Sequence, residues 1–363
     1  MARKLQSDKI LFGVVVVLVL FGALMVYSAS AVMAAERYGS SYYFVERQLI
    51  WAAAGLVAMI ALMGFDYRRL QNSLIVFPAI AVELILLVGA LLSGSSHNAH
   101  RWLHLGPLSF EPSEFAKLVL VIFLAYFLES RRGEVNDIPH TLAPLGLLTG
   151  LTVALVLKEP DLGTSLAILF VVSAMLFVSG LKTAYLGVPL ACAAPMFYLL
   201  VYRVPYRWNR IVAFIDPDKD PLGRGFQALQ AKIAVATGGI TGVGLMEGKQ
   251  KLFYLPEPHN DFIFAVISEE LGFVGAFLVV ALFGVILWRG LRAASRCPND
   301  FGRLLAVGLT TMLVGQALVN MSVVLSLLPT KGIPLPLISY GGSALLMDLV
   351  AVGILLNISQ HAT

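Results

Sequence analysis

Asp261 sits in Leu255-Pro-Glu-Pro-His-Asn-Asp-Phe-Ile-Phe264, where a loop of prolines, histidine and acids runs straight into a long apolar segment. Such a junction places a carboxylate at a membrane surface. His259, two residues earlier, can orient that acid or stand as a solvated loop histidine. Glu114 and Lys117, in Pro112-Ser-Glu-Phe-Ala-Lys117, are three residues apart and share one helix face, where they can pair. They read either as a neutral internal staple or as part of a charged cavity wall. Asp161, in Lys158-Glu-Pro-Asp-Leu-Gly163, follows a helix-breaking proline and can cap the next helix or face a cavity. A charge inside a bilayer costs about 2.5–3.5 kcal/mol on insertion scales, so these groups mark a site more often than not. Glu269 and Glu270, two turns into the segment after Asp261, read as support for the fold. Asp348, deep in the last apolar run, has no role readable from the sequence.

The elements that must hold these groups are membrane helices. Of 363 residues 58% are hydrophobic and only 13% charged, too few charges to cover a soluble surface. A bilayer core takes about 20 apolar residues per helix, and ten runs qualify: 10–31, 48–64, 74–93, 113–129, 141–157, 163–180, 183–203, 262–288, 303–328 and 338–357. The fold class is therefore an all-α integral membrane protein in a single polytopic domain over 1–363. The first run resembles a signal peptide, since Arg3, Lys4 and Lys9 precede an apolar stretch ending in Ala29-Ser30-Ala31. Its length exceeds the usual apolar core of about 7–15 residues, so it reads as the first span.

Arginine and lysine set the orientation. One set of connecting segments carries Arg3, Lys4, Lys9, Arg68, Arg69, Arg131, Arg132, Lys182, Arg289, Arg292, Arg296 and Arg303; the short loops on the other side carry Arg37, Arg47, Arg101, Lys158 and Lys331. Both termini are expected in the cytoplasm, with one long extracytoplasmic loop over 204–261. The net charge of +4 follows from this asymmetry and is no argument for nucleic acid. The two cysteines, Cys192 and Cys297, fall at different depths and predict neither a disulfide nor a metal site.

Within the long loop, Phe226, Leu229, Ile233 and Ala236 recur at helical spacing and predict a helix along the membrane surface on that face. Arg210 beside Trp208 suits an anionic headgroup or simple interfacial anchoring. The glycines of Gly238-Gly-Ile-Thr-Gly-Val-Gly244 follow no buried strand and read as a flexible hinge rather than a nucleotide loop. Lys331 lies among the prolines of Leu328-Pro-Thr-Lys-Gly-Ile-Pro-Leu-Pro-Leu-Ile-Ser-Tyr-Gly-Gly342, irregular backbone of the kind that is buried in protein or lines a wet cavity, where it can meet phosphate.

Several of these strings together resemble the SEDS (shape, elongation, division and sporulation) family over nearly the whole chain. They are Arg101-Trp-Leu-His-Leu-Gly with Phe110-Glu-Pro-Ser-Glu114, Pro160-Asp-Leu-Gly163, Asp220-Pro-Leu-Gly with Gln227, the Asp261 string, and Gly332 to Gly342. Gln250-Lys-Leu-Phe-Tyr-Leu-Pro-Glu257 and Leu328-Pro-Thr-Lys-Gly332 look like the FtsW-type division branch more than the RodA-type elongation branch. Departures are Asn260, Glu111, Met246-Glu-Gly and Ala344, where the family commonly has Thr, Gln, a Gly-x-Ser pattern and Ser.

The resemblance implies a ten-helix peptidoglycan glycosyltransferase that polymerises lipid II at the outer membrane face, with Asp261 as its essential acid. It maps Glu114, Lys117 and Asp161 onto cavity residues. A sugar hydroxyl is a poor nucleophile, and a positioned general base contributes about 10²–10⁴-fold; Asp261 takes that role, and one displacement by one base inverts the anomeric carbon. The leaving pyrophosphate needs cations, for which Arg210, Lys331, Arg101 and Lys117 are available, or a divalent ion, Mg or Mn, held partly by Asp261. No cofactor is required by the sequence, and no His/Cys/Asp cluster shows metal-ligand spacing. Implied partners are a class B penicillin-binding protein transpeptidase and other divisome membrane proteins. A lipid II flippase, a RodA-type polymerase and a recruiting scaffold are the competing readings. A transporter places its charges near the midplane, often in repeated halves, whereas here they crowd the outer face.

Overall fold

The computed structural model describes residues 7–93, 101–105, 108–187, 198–216, 225–252, 254–330 and 332–362. Chain order runs α1 (Lys9–Tyr38), α2 (Tyr43–Met63), α3 (Ser73–Leu92), a short hairpin β1 (Leu103–Leu105) and β2 (Leu108–Phe110), α4 (Pro112–Ser130), α5 (Ala143–Lys158) and α6 (Leu162–Val178). Then come α7 (Pro205–Ile215), α8 (Phe226–Gly238), α9 (Ile263–Arg296), α10 (Asp300–Val324) and α11 (Gly342–His361). Among the described residues seven helices, α5 being counted with the turn before it, are long and apolar enough to cross a membrane. The apolar α6 is shorter, at 17 residues, and α4 carries Glu114, Lys117 and Glu129. Every expected span except 183–203, whose middle part 188–197 lies outside the described residues, forms a helix over most of its length. Cys192 lies outside them too, and Cys297 is a free thiol.

Hydrophobicity alone cannot order helices in lipid, so packing and internal polar contacts decide which lie inside. α10 and α11 are buried over most of their length, and Glu114, Lys117, Gln316, Asn320 and Asp348 all point into the bundle. α1, α2 and α3 turn Leu20, Val57 and Leu74 outward. A buried acid not singled out above, Glu83 of α3, accepts a 2.9 Å hydrogen bond from Thr152 of α5. Both chain ends lie on one side: Asp8 pairs with Arg289 at 2.5 Å, its N–H donates to Ser359, and Gln360 donates to Ser7. By the arginine and lysine bias that side is cytoplasmic.

The long outer loop is more structured than its sequence suggests. α7, a second helix in this loop ahead of the expected one, carries Arg207, Trp208 and Arg210. α8 forms where expected: Ala228, Ala231 and Ala234 pack against the protein, while Phe226 and Leu229 are half-buried and Ile233 and Ala236 are exposed on the apolar side that the sequence spacing marks. Small residues on the packed side let α8 approach the backbone of α9 closely.

The glycine-rich stretch is not a hinge. α9 breaks at Gly272 (φ 64°), and the freed backbone groups are taken up by the loop. Val243 and Gly244 donate to the carbonyls of Glu269 and Glu270, and Phe273 and Val274 donate to those of Gly239 and Ile240. A Cβ at Gly242 (φ 84°) would collide with the Glu270 carbonyl, so only glycine fits that crossing. Glu269 accepts from the N–H groups of Lys249 and Gln250, and Glu270 binds Ser28, Lys251 and the Met246 N–H. These carboxylates avoid lipid because the outer piece of α9, residues 263–270, is buried in protein. They support the fold, as read from the sequence.

Candidate active site

Asp261 ends the loop that leads into α9, and a second irregular segment, 332–341, holds that loop in place. Three consecutive carbonyls of the first loop are bonded: the Asn320 Nδ2 of α10 donates to Asp261 O (2.8 Å), Ser339 Oγ to Asn260 O (2.6 Å) and the Tyr340 N–H to His259 O (2.9 Å). The helices grip the second segment in turn. Asn320 Nδ2 also donates to Ile333 O (2.7 Å), Gln316 of α10 to Pro334 O (3.1 Å) and Gln48 of α2 to Ser339 O (3.1 Å), while Asp348 of α11 accepts from the Leu337 N–H (3.3 Å). Asp348 thus gains the role that the sequence left blank. Each grip satisfies a backbone group that would otherwise be orphaned at membrane depth.

The backbone of Asp261 is fixed but its carboxylate is not. Among the described residues no donor is hydrogen-bonded to it, and the residue keeps an exposed edge. Burial, then Glu257 and Asp161, push its carboxyl up to about 7, against the pull of Arg210 and Arg101. A carboxylate without a hydrogen-bond donor that titrates near neutrality can take a proton at little cost. Gly332 makes this placement fit, since a Cβ there would lie 2.6 Å from Asp261 Oδ2. Gly332→Ala is expected to turn the carboxylate aside and reduce turnover about 10-fold or more, with thermal stability nearly unchanged, because misplacement by about 1 Å is costly to positioned groups. Parallel rate and unfolding measurements check it.

Around Asp261 the other sequence-predicted residues separate into several roles. Asp161 caps α6 through the Thr164 N–H (3.0 Å) and hydroxyl (2.8 Å), as its capping reading expects, and lies 3.9 Å from Arg101. Arg101 donates to the carbonyls of Glu159 and Pro160, bracing the break between α5 and α6. Glu159 beside it is buried, which with Asp161 raises its carboxyl to about 8. Arg210 donates to Thr330 O at 3.2 Å, tying α7 to the chain just before the 332–341 segment. Glu114 and Lys117 pair at 2.8 Å, both buried, and Lys117 also donates to Gln316 at 2.5 Å. Lys331 lies outside the described residues.

His259 departs from both of its readings. It is 2% exposed, so it is not solvated, and its ring packs on Phe44 (4.4 Å) and Tyr340 (5.6 Å), with Nδ1 bonded to no described residue. Burial drives its pKa down to about 4. It is an apolar wedge beneath the loop rather than a hydrogen-bonding orienter of Asp261. Beside Asn260 and Tyr340 opens a cleft of about 120 Å³, lined also by Arg47, Trp51 and Trp102. Among the described residues no group of three or more His, Cys, Asp or Glu is arranged to hold a metal ion.

Gln48, Gln316, Asn320 and Ser339 carry no charge, so the sequence does not mark them as site residues the way it marks the ionisable groups. Gln316 and Asn320, one turn apart in an otherwise apolar run, were the available signal.

A family model described as cell cycle protein, covering FtsW, RodA and SpoVE, matches residues 8–363. The chain belongs to the FtsW/RodA/SpoVE family. Within this family it is 42% identical over 357 residues to a protein of Geobacter metallireducens named probable peptidoglycan glycosyltransferase FtsW, covering 98% of this chain and 95% of that one. It is 40% identical to stage V sporulation protein E of Bacillus subtilis, covering 99% of each. Two solved structures share its fold. A chain from a study of polymerization and crosslinking by a peptidoglycan synthase complex superposes with a TM-score of 0.80 at 35% identity, over 97% of both chains. The rod shape determining protein RodA of Thermus thermophilus gives 0.72 at 31% identity, over 99% of this chain and 98% of that one.

Proposed function

We propose that this member of the FtsW/RodA/SpoVE family is a peptidoglycan glycosyltransferase that polymerises lipid II at the outer face of the cytoplasmic membrane during septal wall synthesis. The observation that carries the catalytic assignment is the Asp261 carboxylate: bonded to no described donor, partly open, held near neutrality and fixed at its backbone between two loops. The acceptor's N-acetylglucosamine 4-hydroxyl attacks the donor's N-acetylmuramic acid anomeric carbon. Its proton passes to Asp261, the new glycosidic bond forms, and the bond to pyrophosphate breaks with inversion. Arg210 and Arg101, whose charges act on Asp261, offset charge growing on the leaving group. Lys331 joins them in this reading. The isoprenoid tail stays in the bilayer, and a class B penicillin-binding protein crosslinks the product alongside other divisome membrane proteins.

The test supplies labelled lipid II to the protein purified with its transpeptidase partner and follows glycan length against pH. A base must be deprotonated to act, so an acid that titrates near 7 gives a rate that climbs about tenfold between pH 6 and pH 8. A profile flat across that range, or falling, removes Asp261 from the base role. Failure of the wild-type complex to make polymer, with lipid scrambling intact, favours the flippase reading instead.

A further inference from the structure

The end of the bundle remote from Asp261 holds a second cavity. α9 starts beside Asp261 and, at 1.5 Å per residue, its far end is about 50 Å away along the helix. There the ends of α1, α9 and α11 enclose about 360 Å³, lined by Ser7, Asp8, Lys9, Arg289, Arg292 and Arg296. Arg289, Arg292 and Arg296 recur at spacings of three and four and share one face of α9.

Four cations meet one carboxylate, and that carboxylate is committed. Asp8 caps α1 through the N–H groups of Ile10 and Leu11 and pairs with the Arg289 Nε. Lys9, Arg292 and Arg296 make no ion pair among the described residues. Elsewhere on the same face several charges are matched locally, Arg132 and Arg303 both binding Asp300 and Arg131 binding Glu134, while the Arg68-Arg69 pair and Lys182 stand far apart in sequence rather than in one cluster. The cavity therefore concentrates positive charge that no described residue matches.

Its depth identifies the source of the missing anion. Leu287, Trp288 and Leu291 on α9 and Ile10 on α1 are exposed apolar side chains that adjoin the basic groups in sequence, and the Arg289 guanidinium lies 5.3 Å from the Trp288 ring. Tryptophan favours the headgroup level of a bilayer. A phosphate in the cavity would thus have hydrocarbon directly behind it, along Ile10 and Leu291. The volume falls within the ~300–1,000 Å³ of small-molecule sites, and arginine forks match phosphate oxygens.

We propose that this cavity binds the phosphate of an anionic phospholipid on the cytoplasmic leaflet, with its acyl chains lying against α1 and α9. The test uses the full chain in detergent, titrated with dioleoyl phosphatidylglycerol, dioleoyl phosphatidylcholine or inorganic phosphate, with bound molecules counted by native mass spectrometry. Wild type is expected to retain phosphatidylglycerol over phosphatidylcholine. Arg292→Gln with Arg296→Gln should weaken that retention roughly 30-fold, at about fivefold per surface cation. Arg292→Lys with Arg296→Lys keeps the charge and should keep most of the binding, which separates charge loss from misfolding. Equal affinity of wild type and the glutamine variant for phosphatidylglycerol overturns the site, as does equal affinity of wild type for the two lipids. Displacement of phosphatidylglycerol by equimolar inorganic phosphate overturns the lipid as its ligand.

Discussion

Asp261→Asn is expected to lower lipid II polymerisation by about 10²–10⁴-fold, the contribution of a positioned general base, with little change in stability. Asparagine keeps the shape of the side chain and loses its proton affinity. The contacts that hold this residue are backbone contacts: Asn320 grips its carbonyl, and its neighbours' carbonyls are held by Ser339 and the Tyr340 N–H. No described donor would be orphaned by the change. Stability should rise slightly if anything, since a carboxyl pushed up to about 7 opposes folding once it is ionised. The sign follows from linkage: the folded state binds the extra proton, so the group favours the fold at low pH and loses that contribution as pH rises through about 7. Initial rates and thermal unfolding of the two proteins, each with the same transpeptidase, decide it. An asparagine variant that polymerises at the wild-type rate would leave Asp261 a bystander and return the chain to the scaffold or transporter readings.

What the sequence made legible was set by periodicity and by rare residue types. Long apolar runs bounded by arginines gave α1, α2, α3, α9, α10 and α11 close to their observed positions, because burial in lipid leaves so few alternatives. Asp261, Glu114, Lys117 and Asp161 stood out as charges that hydrocarbon does not tolerate. What stayed hidden depends on which atoms approach one another. The spacing of Phe226, Leu229, Ile233 and Ala236 made α8 itself legible, but not that Ala228, Ala231 and Ala234 on its other side are what pack against the protein. The glycines at 238–244 looked mobile because nothing in one sequence reveals that α9 breaks at Gly272 to receive them. His259 sat next to the key acid in sequence but points into Phe44 and Tyr340. Asn320 and Gln316 are neutral and so do not stand out in the sequence, although Asn320 ties the two loops of the site together and Gln316 holds the second of them.

Lys117→Met is expected to destabilise the protein by about 3–5 kcal/mol, the cost of leaving one partner of a buried ion pair uncompensated. Glu114 loses its 2.8 Å partner, and Asp348, which shares the field of Lys117, loses the same cation. Adding Glu114→Leu removes one buried charge and should recover much of that loss, since well-packed apolar groups often replace a buried pair without penalty. Polymerisation is expected to remain low in the double variant. The reason lies one bond further: Lys117 donates to Gln316 Oε1 at 2.5 Å, and the Nε2 of that same amide holds Pro334 O in the segment beside Asp261. Without the lysine the Gln316 amide is free to rotate, and the segment carrying Gly332 loses one of its anchors. Stability and activity therefore come apart in this series, which a staple that only neutralises charge does not produce. Unfolding temperatures with glycan-chain yields for wild type, single and double variants distinguish the two. Recovery of both together in the double variant would make the pair purely structural. Recovery of stability alone makes it a positioning device, acting on Asp261 through α10.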